Sequence, residues 1–185
     1  MNNYFGLVVI DEAYINFARQ KSFLPSLREY PNLVILHTLS KAWGLAALRM
    51  GIAFASEEII SVLNKIKPPY NINQATQELA LKAFEEVGQV NEMIKEIIIE
   101  RSILLKWLQE LPMVKHIFTS DANFLLVKVT EPKKIYNFLL SKGIVVRDRS
   151  RVELCEGCLR ITVGTHKENK QLLEALLAYT EKQPG

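Results

Sequence analysis

Apolar positions follow two rhythms along this chain. "GLVVIDEAY" (6–14) is a continuous apolar run closing on acids, the form of a parallel-sheet strand where it leaves the core. "NLVILHTL" (32–39) repeats that form, "MGIAFAS" (50–56) is a third run, and "SFLPSLREY" (22–30) reads as a short helix between the first two. Strand, helix, strand at these lengths predicts a βαβ crossover, hence parallel strands under helical cover. Ser56 stands as N-cap to "EEIISVLNKI", which has acids in its first turn. "KPPYNINQ" (67–74) breaks that helix at its prolines and opens another. From about Gln74 to Leu111 the residues Leu79, Phe84, Val87, Met93, Ile97, Leu104 and Leu108 keep period 3.6, with Gly88 as the place for a break or bend.

The tail returns to alternation at a smaller scale. It predicts a strand at 123–129, a helix at 132–143 closing on a glycine cap, strands at 144–148 and 158–164, and a final helix at 166–182. The whole predicts an α/β chain in two units. Residues 1–80 hold a partial, mostly parallel sheet layered between helices, 81–111 a connecting helix, and 112–185 a smaller α/β domain. No internal repeat or low-complexity segment interrupts it.

Composition narrows the function classes. With 185 residues, net charge +3, 49% hydrophobic and 23% charged positions, the chain groups with ordinary soluble globular proteins. The basic excess is too small and scattered to argue for nucleic acid. No apolar run approaches the roughly 20 residues that cross a bilayer. "MNNYFGLVVIDEAY" lacks the basic-then-apolar pattern of a secretory signal, and two cysteines without that context point to a reducing, cytoplasmic compartment. "CEGC" (155–158) invites a metal reading, but structural zinc needs four ligands, and His37, His116 and His166 have no paired spacing. A redox pair opens a helix after a strand, whereas this one precedes a strand, so we expect no metal and no redox role. His37 reads as a packed or satisfied strand residue.

The candidate chemistry sits at strand ends. Asp11 and Glu12 close the first strand, where an acid can simply mark the meeting with water. Open α/β sheets, however, bind ligands at the carboxyl ends of their strands. Lys41, in "HTLSKAWGLAALRMG", ends the second strand, so Asp11 and Lys41 are expected in one crevice, with Tyr14 a helical turn beyond Asp11. Lysine, carboxylate, phenol and arginine together suit pyridoxal phosphate. That cofactor needs an amine for its aldehyde, a carboxylate at its pyridine nitrogen, and cationic and hydroxyl donors for its phosphate. Lys41, Asp11, Arg49 and Ser40 match those needs in turn, and Tyr14 suits the ring's 3′ oxygen. Arg160 lies inside the apolar strand "CLRITV", where a buried guanidinium requires an anion, either an internal carboxylate or a ligand.

The segments "VVIDEAY", "HTLSKAWGLAALRMG", "KPPYNIN" and "CLRITVG" resemble the fold type I pyridoxal phosphate aminotransferases, and among them most closely the histidinol-phosphate aminotransferase family. The resemblance implies transamination of histidinol phosphate with 2-oxoglutarate in histidine biosynthesis, by a homodimer acting on a small-molecule amino donor and a 2-oxo acid. It makes Lys41 the cofactor-binding and proton-shuttling lysine, Asp11 the pyridine partner and Tyr14 the ring-oxygen donor, with Ser40 and Arg49 on the cofactor phosphate. It makes Arg160 the clamp for the substrate carboxylate, which its planar fork suits, and Arg147 a second substrate-side cation for a phosphate. Asn123 falls near the cleft by the same resemblance, or is a plain strand-edge residue. Arg149 and Arg151 read as a solvated loop.

Family members run to about twice this length. The phosphate-cradling helix turn, the ring-stacking aromatic, the second ring-oxygen donor and the N-terminal arm precede the "VVIDEAY" strand in them. The chain is therefore expected to be a C-terminal half. Other readings stay open: an aromatic amino acid aminotransferase, a phosphothreonine-type decarboxylase, or an inactive fragment serving as an assembly piece.

Overall fold

Strand β2 (Leu33–Thr38) is the middle of the first sheet, parallel to β1 (Val8–Asp11) and antiparallel to β3 (Gly51–Ala55). The computed structural model to which these strands belong describes residues 4–181. Met1–Asn3 of the N-terminal stretch and Lys182 of the expected final helix lie outside the described residues. Contacts divide the chain into two units, one ending at Ile94 and the other beginning at Lys95.

In the first unit Leu33, Val34 and Ile35 are buried, which makes β2 the core strand. The parallel β1–β2 pair matches the expected crossover. Its connection carries 3₁₀ turns at Ile15–Phe17 and Leu24–Arg28 in place of an α-helix. The third strand departs from the parallel expectation. After Thr38 the chain folds on itself, with the Leu45 amide donating to the Leu39 carbonyl (2.9 Å) and the Leu39 amide to that of Met50 (3.3 Å). The strand ends stay adjacent, so the return is antiparallel. Among the described residues β1 is an edge strand, and its Val9 is 57% exposed.

Helix α1 (Glu57–Ile66) ends before the prolines, and Asn73 caps α2 (Gln74–Glu85) by accepting from the Thr76 amide at 2.8 Å. The long periodic stretch breaks at Glu86, where ψ is 22°, and α3 (Val87–Gln109) then runs through Gly88 without interruption. The break thus falls two residues before the glycine expected to carry it.

The second unit is an antiparallel sheet in the order β4 (Val114–Ile117), β5 (Phe124–Val129), β7 (Cys158–Thr162), β6 (Arg147–Asp148). Alternation sends Leu125, Val127, Leu159 and Ile161 to one face. There they form a core with Ile135 and Leu139 of α4 (Pro132–Ser141) and Leu172, Leu176 and Tyr179 of α5 (His166–Glu181). The expected strand at 144–148 is shorter than its apolar pattern. Gly143 turns the chain at φ +75°, and the Ile144 amide is spent on the Leu139 carbonyl at 2.9 Å, so only Arg147–Asp148 joins the ladder. No helix among the described residues is long and apolar enough to cross a membrane.

Candidate active site

The carboxyl ends of β1 and β2 bring Tyr14 and Lys41 together. Tyr14 immediately precedes the 3₁₀ turn after β1, and Lys41 opens the turn after β2, its carbonyl accepting from the Gly44 amide at 3.1 Å. Lys41 Nζ lies 5.3 Å from the centroid of the Tyr14 ring, a cation–π placement. The amine is exposed and forms no salt bridge among the described residues. Asp11 is also exposed at the end of β1, aligned with Leu36 of β2, and its Oδ1 accepts from the Ala13 amide at 2.9 Å. Ser40 is half-buried, with its amide bound to Thr38 Oγ1 at 3.1 Å. Arg49 adopts a left-handed conformation (φ 51°) uncommon outside glycine, and its Nη1 donates to the Ala46 carbonyl at 3.2 Å. Its exposed guanidinium keeps further donors for an anion.

Glu12, read above only as an acid beside Asp11, proves to be the buried one, 5% exposed. Its carboxylate accepts from the Ser22 hydroxyl (2.6 Å) and the Phe23 amide (2.7 Å) and lies 2.8 Å from His37 Nε2. Burial alone would raise its pKa. The hydrogen bonds from Ser22, Phe23 and His37, with the charge of His37, outweigh that and hold it below the usual glutamate range. Period 2 carried the signal: Glu12 has the parity of the half-buried Val8 and Ile10, whereas Asp11 has that of the exposed Val9.

In the second unit, Arg147 and Arg160 are directly opposed across the β6–β7 ladder. Both line an open cleft of about 450 Å³ with Tyr136, Asp148, Arg149 and Thr162. The Arg160 guanidinium stands 4.9 Å from the Phe124 ring centroid, and its Nε is buried without a hydrogen-bond partner. No salt bridge among the described residues engages either arginine, so the carboxylate alternative for Arg160 finds no support here. Arg149, read as solvated loop, is half-buried on the cleft wall, where its amide donates to the Cys158 carbonyl at 2.9 Å. Asn123 is half-buried, and its carbonyl accepts from the Val163 amide at 2.9 Å, closing the β5–β7 ladder. Cys155 and Cys158 are free thiols. Burial first, then the nearby Cys155, pushes the Cys158 thiol up, away from the thiolate that redox or metal chemistry uses. Among the described residues no cluster of metal-ligating side chains occurs.

Comparison with known proteins gives these sites a context. The family described as aminotransferase class I and II matches residues 1–176. The histidinol-phosphate aminotransferase of Cytophaga hutchinsonii is 54% identical over 179 residues, which is 97% of this chain and 51% of that protein. The chain thus spans about half the length of this relative. The crystal structure of the histidinol-phosphate aminotransferase from Clostridium acetobutylicum superposes with TM-score 0.88 at 25% identity, covering 96% of this chain and 55% of that one. The Sinorhizobium meliloti enzyme, solved in complex with pyridoxal-5′-phosphate, shares the fold with TM-score 0.80 at 24% identity, over 94% of this chain and 49% of its own. With a family match over residues 1–176, this chain belongs to the class I and II aminotransferases.

Proposed function

We propose that this chain carries the cofactor-binding lysine and the substrate-side arginines of a pyridoxal phosphate-dependent aminotransferase that acts on histidinol phosphate with 2-oxoglutarate, as a cytoplasmic homodimer. The observation that carries the reading is the pairing of Lys41 with Tyr14 beside Asp11, at the ends of two adjacent parallel strands. The donor set fits the cofactor: an accessible amine for its aldehyde, an exposed carboxylate for its pyridine nitrogen, a phenol for its ring oxygen, and Ser40 with Arg49 for its phosphate. When bound, pyridoxal phosphate supplies an electron-withdrawing ring that acidifies the substrate carbon bearing the amine.

The chain's own residues do the rest. Lys41 would hold the cofactor through its aldehyde carbon, and its amine is the base placed to move a proton at the substrate carbon. The Asp11 side chain would hold the proton on the pyridine nitrogen. The Tyr14 phenol would donate a hydrogen bond to the ring oxygen and orient the ring. Arg160, with a buried donor not yet satisfied, receives the carboxylate of glutamate or 2-oxoglutarate. Arg147 adds the second cation that a phosphate monoester needs. The relatives' printed name favours histidinol phosphate over aromatic amino acids or a decarboxylase substrate.

A second reading rests on the exposed edge of β1: this length of chain alone is an assembly piece. One experiment separates them. Pyridoxal phosphate is added to the purified protein, absorbance is scanned, and amino transfer from glutamate is assayed against a panel of histidinol phosphate, phenylalanine and phosphothreonine. A visible cofactor band with preferred turnover of histidinol phosphate supports the first reading. A protein without the band or turnover supports the second.

A further inference from the structure

Glu12 is a buried acid that the chemistry above leaves unused. Both its oxygens are committed, Oε1 to the Phe23 amide and Oε2 to the Ser22 hydroxyl and His37 Nε2. These partners come from separate parts of the unit. Glu12 directly follows β1, Ser22 and Phe23 enter the 3₁₀ turn of the crossover, and His37 belongs to β2. His37 also stands edge-on to Phe54 of β3, with ring centroids 5.2 Å apart. One carboxylate therefore ties β1, the crossover and β2 at the level where the sheet opens. Asp11 precedes Glu12, Tyr14 lies two residues after it, and Lys41 four residues after His37.

We propose that Glu12, through Ser22, Phe23 and His37, is a positioning residue that fixes the strand ends presenting Asp11, Tyr14 and Lys41 to the cofactor. The inference rests on the cofactor reading of those residues. A free strand end would let Asp11 and Lys41 drift independently, and a misplacement of about 1 Å is enough to lose most of an oriented site's advantage. Glu12 holds both ends through short hydrogen bonds to one group.

The test uses Glu12→Gln and Glu12→Ala, with Ile35→Val as a control for general destabilisation of the same buried strand. A glutamine preserves the geometry. Its oxygen accepts from Phe23, and its amide donates to Ser22 Oγ and to His37 Nε2 in the other tautomer. Alanine preserves none of it. Two readouts are taken: pyridoxal phosphate affinity, and hydrogen exchange of the Ala13 amide, which is bonded to Asp11 Oδ1, in cofactor-free protein. Glu12→Gln should stay within about threefold of wild type in both. Glu12→Ala, which removes all three hydrogen bonds, should lose at least about tenfold in affinity and exchange Ala13 at least about tenfold faster, each lost buried hydrogen bond being worth up to about that factor. Ile35→Val should move neither.

Wild-type values in Glu12→Ala, equal damage from Glu12→Gln, or the same pattern in Ile35→Val would each overturn the positioning role. If Glu12→Ala does not fold, His37→Ala removes a single arm and decides the matter: faster Ala13 exchange with weaker uptake supports the brace, and wild-type behaviour overturns it. Should wild-type protein fail to take the cofactor at Lys41, the reading of the site fails, while Ala13 exchange still decides the brace.

Discussion

Lys41 Nζ faces the Tyr14 ring at 5.3 Å from its centroid, so the aromatic face holds the amine beside the phenol. An exposed cation–π contact contributes about 0.5–1 kcal/mol. Tyr14→Phe keeps the ring and should capture pyridoxal phosphate at close to the wild-type rate, whereas Tyr14→Ala should capture it about two- to fivefold more slowly. Both lose the phenol and should lose turnover alike. Stopped-flow absorbance separates capture from turnover. Equal capture by both variants would deny the ring a role.

Arg147 and Arg160, opposed across β6–β7, place like charges in register, which costs an empty sheet about 0.2–1 kcal/mol. Replacing Arg147 by threonine should therefore raise the melting temperature of ligand-free protein slightly. It should also weaken histidinol phosphate more than glutamate. Arg160→Ala should weaken both substrates, on the order of 2–5 kcal/mol where the ligand's charge is left buried. Calorimetric melting and substrate titrations check the pair. A destabilised Arg147→Thr protein with equal losses for both substrates would contradict the assignment.

Acid should loosen the first unit through Glu12. Its folded pKa lies below the ordinary 4.5, so its charged form stabilises the fold fully above that value. That contribution is lost as pH falls below 4.5 through the depressed folded value. Urea unfolding between pH 6 and pH 3 should show a steeper decline for wild type than for Glu12→Gln, which cannot titrate. Parallel declines would place the acid sensitivity elsewhere.

Much of this was legible in the residues themselves. The apolar runs marked β1, β2, β3, β5 and β7, because a short apolar run bounded by turn residues reads as a strand without partner information. Strand direction did not follow: nothing in the period of "MGIAFAS" distinguishes an antiparallel return from a crossover, and the hydrogen bonds of Leu39 and Leu45 decide it. Glu12 was hidden for a related reason. Two adjacent acids look alike until parity separates the inward from the outward one, and its donors, Ser22 and Phe23, lie ten and eleven residues on. Arg149 was lost in a charged run that reads as solvated, although β6 and the Cys158 contact set it on the cleft wall.

Asp11→Asn should keep the fold and bind pyridoxal phosphate, because the Ala13 amide can still donate to the side-chain oxygen. Turnover should fall by about 10²-fold or more, as when a preorganised electrostatic partner is removed from a reacting centre. Single-turnover kinetics with glutamate measures it. Near-normal rates would reduce Asp11 to an acid at a strand end.

Lys41, and no other lysine, is expected to hold the cofactor. Borohydride reduction of protein loaded with pyridoxal phosphate, followed by digestion and mass spectrometry, identifies the lysine. The phosphopyridoxyl mass is expected on the peptide containing Lys41, and it should disappear in Lys41→Ala. Label on Lys65 or Lys67, or unchanged labelling in Lys41→Ala, would contradict that expectation.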